Sequence, residues 1–230
     1  MSAAGAIIEL EHGPYRLREQ IAESAYGVVW EASAPGGGEV ALKLINRASM
    51  ERAHPALRER WIGSALKEIA FLRSLEPWDE RHIVRLLDSG EHEGLPVLAL
   101  ELLAGDAGRH VAAARNRGVA LEFTLVLDWM GQINQALAKV HQYGWRYLDL
   151  KPANLLIDAE HRSLKLADFG TNRLLDDDQP HTYAGTANWQ APEQFFPVAP
   201  HSYATDARTD YFALGAMFYF LVTGGLSLRF

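Results

Sequence analysis

The stretch Tyr147-Leu148-Asp149-Leu150-Lys151-Pro152-Ala153-Asn154-Leu155-Leu156-Ile157 decides how this chain is read. An Asp, a Lys two residues on and an Asn three further share a short loop, and an apolar run follows. A turn over residues 158–163 leads to a second strand-like run, which ends in Asp168-Phe169-Gly170. Two carboxylates, an amide and an ammonium thus come to the mouths of two adjacent strands. That group suits a nucleoside triphosphate. Asn154 and Asp168 are oxygen ligands for magnesium, Lys151 neutralises phosphate oxygens, and Asp149 orients a hydroxyl nucleophile. The plainer alternative is a polar turn between two buried strands.

Composition narrows the field. A chain of 230 residues can bury a sizeable core in one domain or two lobes. The 22 basic and 29 acidic side chains leave a charge of −7, which argues against broad nucleic-acid binding. With no cysteine, disulfides and cysteine-based zinc sites are excluded, and the chain suits a reducing cytoplasm. Residues 1–11 show no basic segment followed by an apolar core, so no signal peptide is expected. Residues 211–226 are apolar nearly all round, but are headed by Asp210 and closed by Gly224-Gly225. A membrane span needs about 20 apolar residues, so a buried core helix is expected there and no membrane segment.

Outward from the loop, residues 1–14 read as a loose lead-in. Residues 15–29 read as two strands joined by a turn at 24–27. A Gly36-Gly37-Gly38 turn leads into Val40-Ala41-Leu42-Lys43, where alternation puts Ala41 and Lys43 on one strand face. Over residues 55–75 Trp61, Ala65, Ile69 and Leu72 recur at helical spacing, with Glu68 at the border of the stripe. Two further strands are expected over 83–87 and 96–100, bridged by a polar turn at 88–94. A second amphipathic helix covers 125–143, with Trp129, Ile133, Ala136 and Val140 on one face and Gly144 closing it.

The string at 147–154 resembles the catalytic loop of protein kinases, H-R-D-L-K-P-x-N, followed by the D-F-G magnesium motif. Downstream, Gly185-Thr186-Ala187-Asn188-Trp189-Gln190-Ala191-Pro192-Glu193 is similar to the G-T-x-x-Y-x-A-P-E run of Ser/Thr kinases. Asp210-Tyr211-Phe212-Ala213-Leu214-Gly215 resembles the start of the central C-lobe helix, whose Asp braces the catalytic loop. The resemblance covers about residues 15–226. It implies an α+β, two-lobed fold: a β-rich N-lobe at 15–100, a hinge at 101–105 and an incomplete helical C-lobe at 106–230. The catalytic loop is then 147–154 and the activation segment 168–193.

The resemblance also implies roles. Lys43 meets the α- and β-phosphates of ATP, held there by Glu68, and Asp149 and Lys151 act at the acceptor hydroxyl. Asn154 and Asp168 hold Mg²⁺, or Mn²⁺ in its place. The ATP site takes Ile21, Ala22, Ser24, Gly27 and Val29 from the phosphate loop and Ala41 from the next strand. Leu100, Glu101, Leu103 and Leu156 complete it around the adenine. Thr182 and Thr186 are candidate substrate-side or phosphoacceptor hydroxyls, beside Thr171 and Tyr183. Lys151 with Thr186 favours Ser/Thr as acceptor, and a protein as substrate. The implied activity is a Ser/Thr protein kinase. The alternatives are a pseudokinase or nucleotide-binding scaffold, and a small-molecule kinase, which often lacks Ala-Pro-Glu.

The departures are specific. The phosphate loop keeps only its third glycine, with Ala22 and Ser24 at the first two places, so left-handed backbone angles are costlier there. Tyr147 replaces His, and can fill the same space against Phe169. Leu148 replaces the Arg that many kinases clamp onto a phosphorylated activation segment, so that switch is lacking. The helices that follow the central one in kinases are absent from these 230 residues. Phe212, Met217, Phe218, Phe220, Leu221 and Leu226 are therefore expected to lack cover, and Glu193 to lack its arginine. A partner, self-association or a continuation of the chain would cover that surface.

Overall fold

Apolar residues alternate along the first hundred positions and build an antiparallel sheet in the order β1-β2-β3-β4-β6-β5. Its strands are β1 (Ile7–Leu10), β2 (Gly13–Glu23), β3 (Gly27–Ser33), β4 (Glu39–Ile45), β5 (Leu86–His92) and β6 (Leu95–Glu101). This is a computed structural model, and it describes residues 4–24, 26–177, 185–200 and 202–228. The chain divides into two compact units. One comprises Met1–Glu76 and Val84–Leu102, the other Pro77–Ile83 and Leu103–Phe230.

In the first unit, Tyr15, Leu17, Val40, Leu42, Leu44, Val97 and Ala99 share one buried core with Ile8. The period of two then sends Ala41 and Lys43 to the opposite face, where helix α2 (Pro55–Ser74) packs across β4, β5 and β6. The lead-in is not loose: β1 pairs with β2, and Ile8 is fully buried. The turn in the polar stretch 88–94 is only Glu93-Gly94, because β5 and β6 stay paired out to His92 and Leu95. Asp88 is buried and accepts from His12 N at 2.9 Å and Ser89 N at 2.8 Å, so it knits the two sheet edges together. Its bond to the Tyr15 hydroxyl, after burial itself, helps push that phenol up to about 12. A short helix α1 (Arg47–Arg52), capped by Asn46, precedes α2.

The second unit is mainly helical: α3 (Ala107–Asn116), α4 (Phe123–Gln142) and α5 (Ala207–Val222). Val126, Trp129, Ile133, Ala136, Leu137 and Val140 recur at helical spacing on α4 and are all buried. Gly144 follows with φ +80°, the left-handed angle that ends a helix cheaply only at glycine. Short strands frame the loops: β7 (Gly105–Asp106), β8 (Trp145–Arg146), β9 (Leu155–Ile157), β10 (Leu164–Leu166) and β11 (Arg173–Leu174). They pair as β10-β9-β7 and β11-β8. α5 is buried on one side only, through Asp210, Ala213, Met217, Phe220 and Leu221. Among the described residues no helix is long and apolar enough to cross a membrane.

Candidate active site

The polar residues singled out by sequence form two groups, one in each unit. In the first, Lys43 leaves β4 and its Nζ lies 2.6 Å from Glu68 Oε2 on α2. Glu68 is 1% exposed, so this is a buried carboxylate facing an ammonium, not a solvated helix residue at the edge of a stripe. Ala41 and Leu100 are cross-strand partners, as are Val29 and Lys43, so these four cluster around the lysine. Ile21 and Ala22 end β2, with Ala22 opposite Val29.

The turn at 24–27 is held by its own hydroxyl. Ser24 Oγ accepts from Tyr26 N at 3.2 Å and Gly27 N at 3.0 Å, and Ser24 N donates to Gly27 O at 2.8 Å. Gly27 has a packing reason to be glycine, because a Cβ there would meet Leu44 O at 3.3 Å. Glu101 is the last residue of β6, and its side chain accepts from Arg85 N at 2.8 Å. Leu103 and Leu156 belong to the second unit. There Ala104 N donates to Ile157 O at 3.0 Å, and Leu156 stands between Asp106 and Lys165 in the small sheet.

The second group is built by the loop of the opening stretch. Asp210, 1% exposed on α5, accepts Tyr147 N at 2.8 Å on one oxygen and Leu148 N at 2.7 Å on the other. His141 from α4 adds a third bond to it at 2.8 Å. These bonds offset the cost of Leu148 at φ +70°, a left-handed angle that a leucine rarely takes. Tyr147 packs edge-on against Phe169, ring centroids 5.3 Å apart, and its hydroxyl donates to Ala167 O.

Asp149, Lys151 and Thr186 close a triangle. Lys151 Nζ lies 2.7 Å from Asp149 Oδ2 and 3.0 Å from Thr186 Oγ1, and Thr186 Oγ1 donates to Asp149 Oδ1 at 2.7 Å. Asn154 Nδ2 donates to Asp149 O at 3.0 Å and to Asp149 Oδ2 at 3.2 Å. Burial pushes the Asp149 carboxyl above its usual range. Lys151 and Thr186 pull it back, while the neighbouring Asp168 carboxylate raises it further. The amide nitrogen of Asn154 is committed to Asp149, so its oxygen is the atom a cation would take. With the half-buried Asp168 it gives two hard oxygen donors, a set that fits magnesium, which takes one or two protein oxygens beside phosphate and water.

Three contributors were not singled out from the sequence. Gln194 bridges Ala191 N at 2.9 Å and Leu148 O at 3.2 Å, tying Ala191-Pro192-Glu193 to the loop at 147–154. His141 steadies Asp210. Arg146 is buried beside the loop and donates to Asp177 O at 2.8 Å. A polar residue one helical turn from a loop was the only cue to His141. Gly185 is legible after the fact: φ is +108°, and a Cβ would meet Gln194 Nε2 at 2.8 Å. Glu193, expected to lack its arginine, takes a hydrogen bond instead from Thr209 Oγ1 at 2.6 Å. Thr182 and Tyr183 lie outside the described residues.

A family model described as the protein kinase domain matches residues 15–229. The chain belongs to the protein kinase family. It is 31% identical over 208 residues to cyclin-dependent kinase 20 of Danio rerio, covering 89% of this chain and 56% of that one. It is 30% identical over 220 residues to CBL-interacting protein kinase 19 of Oryza sativa subsp. japonica, covering 93% and 40%. Serine/threonine-protein kinase ATG1c of Arabidopsis thaliana is 33% identical over 219 residues, covering 92% and 27%. The chain thus spans between 27% and 56% of these kinases' lengths. As a kinase domain it has the expected α+β architecture, with a β-rich N-terminal sheet and helices in the C-terminal part.

Proposed function

We propose that this chain transfers the γ-phosphoryl group of ATP to Ser or Thr hydroxyls of a protein substrate. The observation that carries the reading is the closed triangle of Asp149, Lys151 and Thr186, with Asn154 fixed against it. In the reaction the substrate hydroxyl oxygen bonds to the γ-phosphorus, and the bond from that phosphorus to the β-γ bridging oxygen breaks, leaving ADP. The hydroxyl proton passes to Asp149. Lys151 offsets charge on the phosphoryl oxygens in flight, and Lys43, held by Glu68, does so on the α- and β-phosphates. Asn154 and Asp168 are the residues that would hold magnesium, whose charge would offset that of the phosphate oxygens. A cytoplasmic site of action fits the lack of cysteine.

A nucleotide-binding scaffold without transfer is the second reading, and the altered phosphate loop favours it. The test is transfer of radiolabelled phosphate from MgATP to a generic basic protein. Transfer that is lost in Asp149→Ala and Asp168→Asn supports catalysis. No transfer in the wild-type chain, or transfer that survives Asp149→Ala, supports the scaffold.

A further inference from the structure

In the first unit, Glu68 depends on a helix that is poorly anchored where it starts. Among the described side chains of α2, none before Glu68 is buried; the buried ones are Glu68, Phe71 and Leu72. Gly63 and Ser64 sit mid-helix between Trp61 and Glu68, and glycine is a weak helix former. Residues 61–65 are only half-buried, which leaves room for contacts outside the core to steady this half of the helix.

Two links from the turn at 24–27 do so. Tyr26 meets Trp61 edge to face, ring centroids 5.1 Å apart and planes at 88°. Trp61 and Glu68 are seven residues apart, two helical turns, and so lie on one side of α2. The second link is Asn46. Its backbone N donates to Tyr26 O at 3.0 Å, and its Nδ2 donates to Ser24 O at 2.9 Å. Its Oδ1 caps α1 by accepting Ser49 N at 3.1 Å. α1 in turn receives Arg58 of α2, through Glu51 O at 2.6 Å and Ala53 O at 3.0 Å. The turn itself is pre-folded, since Ser24 Oγ occupies the Tyr26 and Gly27 amides. Those are amides a glycine-rich loop would offer to phosphate.

We propose that the turn at 24–27 serves as a brace for α2, with Tyr26 and Asn46 as positioning residues that keep Glu68 on Lys43. The role of that pair in phosphate binding rests on the function proposed above; the brace does not. The phosphate loop has then exchanged part of its grip on nucleotide for a mechanical task.

The test is amide hydrogen exchange across α2 in the full 230-residue chain, without nucleotide, for wild type, Tyr26→Ala, Tyr26→Phe and Asn46→Ala. Tyr26 is 64% exposed, so its variants are expected to fold. Tyr26→Ala should speed exchange over residues 61–68 by roughly two- to tenfold, the equilibrium factor an edge-to-face aromatic pair supplies. Exchange in β4 and β6 should not change. Tyr26→Phe, which keeps the ring, should match wild type, and Asn46→Ala should also loosen 61–68. Unchanged exchange in Tyr26→Ala, or equal loosening in Tyr26→Phe, overturns the brace. In a parallel phosphotransfer assay, Tyr26→Ala should lower kcat more than it raises the KM for ATP. If the wild-type chain transfers no phosphate while exchange follows the expected order, the brace stands and the kinase activity falls.

Discussion

Asp149 carries a proton problem beside its proposed catalytic role. Its carboxyl is held above the usual range mainly by burial, and only its ionised form can take a hydroxyl proton. The ionised fraction grows with pH through the raised pKa, so turnover should show an acid limb above the ordinary aspartate value of 3.8. The Thr186 bond stabilises the charged form, so Thr186→Ala should move that limb to higher pH, whatever it does to the maximal rate. A kcat-against-pH profile decides it, and a limb that stays put or moves down contradicts the argument. Asp210 makes a different kind of contribution, since it touches no reacting atom. Asp210→Ala strands the buried N–H groups of Tyr147 and Leu148, each costing about 1–3 kcal/mol. Chemical denaturation should show a loss of roughly 2–5 kcal/mol, with Asp210→Asn, which keeps one acceptor oxygen, in between. A loss near zero would mean that the loop finds other acceptors.

At the level of elements, position 148 predicts a short control circuit. Leu148 is 4% exposed and cannot bind phosphate, so turnover should not wait on phosphorylation of the activation segment. Phosphatase treatment, or Thr182→Ala, should leave the rate within a few-fold. A hundredfold loss, about 2.7 kcal/mol in barrier, would overturn this. A second element-level effect comes from the 3-10 turn Pro77–His82, whose buried His82 ring contacts Leu164 O at 3.1 Å. Burial holds this histidine below the ordinary imidazole value of 6.5. The stability it contributes is therefore full above pH 6.5 and is lost as pH falls through the lower folded value. The melting temperature should drop between pH 7 and 5, and His82→Gln should flatten that slope. The strongly periodic elements were legible in the sequence: α4 with its glycine stop, β4 with Lys43, and the loop with its Asp-Lys-Asn spacing. α3 was not, because alanines and arginines give no stripe. Its cue was local, Asp106 capping Arg109 N at 2.9 Å. The outer half of β5 was missed because its polar run reads as a turn, while its pairing with β6 and the bond of Asp88 to His12 N are contacts that no local pattern reveals; β1 is only four residues long and is held by its pairing with β2. Asp149, Lys151, Asn154 and Thr186 were legible as a set. The shell that orients them was not, since His141, Gln194 and Thr209 act through contacts between distant segments.

At the scale of the molecule, the outstanding feature is what α5 leaves wet. Of the six apolar residues expected to lack cover, Met217, Phe220 and Leu221 are buried within the second unit, whereas Phe218 and Leu226 are exposed. Tyr211, Gly215, Phe218 and Val222 follow at steps of four, three and four, and so form one exposed stripe. Tyr211 is 48% exposed, Phe218 37% and Val222 44%, with Tyr219 and Leu226 beside them at 39% and 46%. Burying a large apolar side chain fully is worth about 1.5–3 kcal/mol, and each of these realises only part of it. Against a typical stability of about 5–15 kcal/mol, the sum is a strong drive to hide the stripe. The 230-residue chain should therefore self-associate as its concentration rises and bind a hydrophobic dye. Sedimentation over a hundredfold range of concentration measures the first. Phe218→Glu with Val222→Glu should suppress both effects without lowering the melting temperature, because neither side chain is in the core. A wild-type chain that stays monomeric throughout and binds no dye would mean that the exposed stripe is too narrow or too interrupted at Gly215 to drive association.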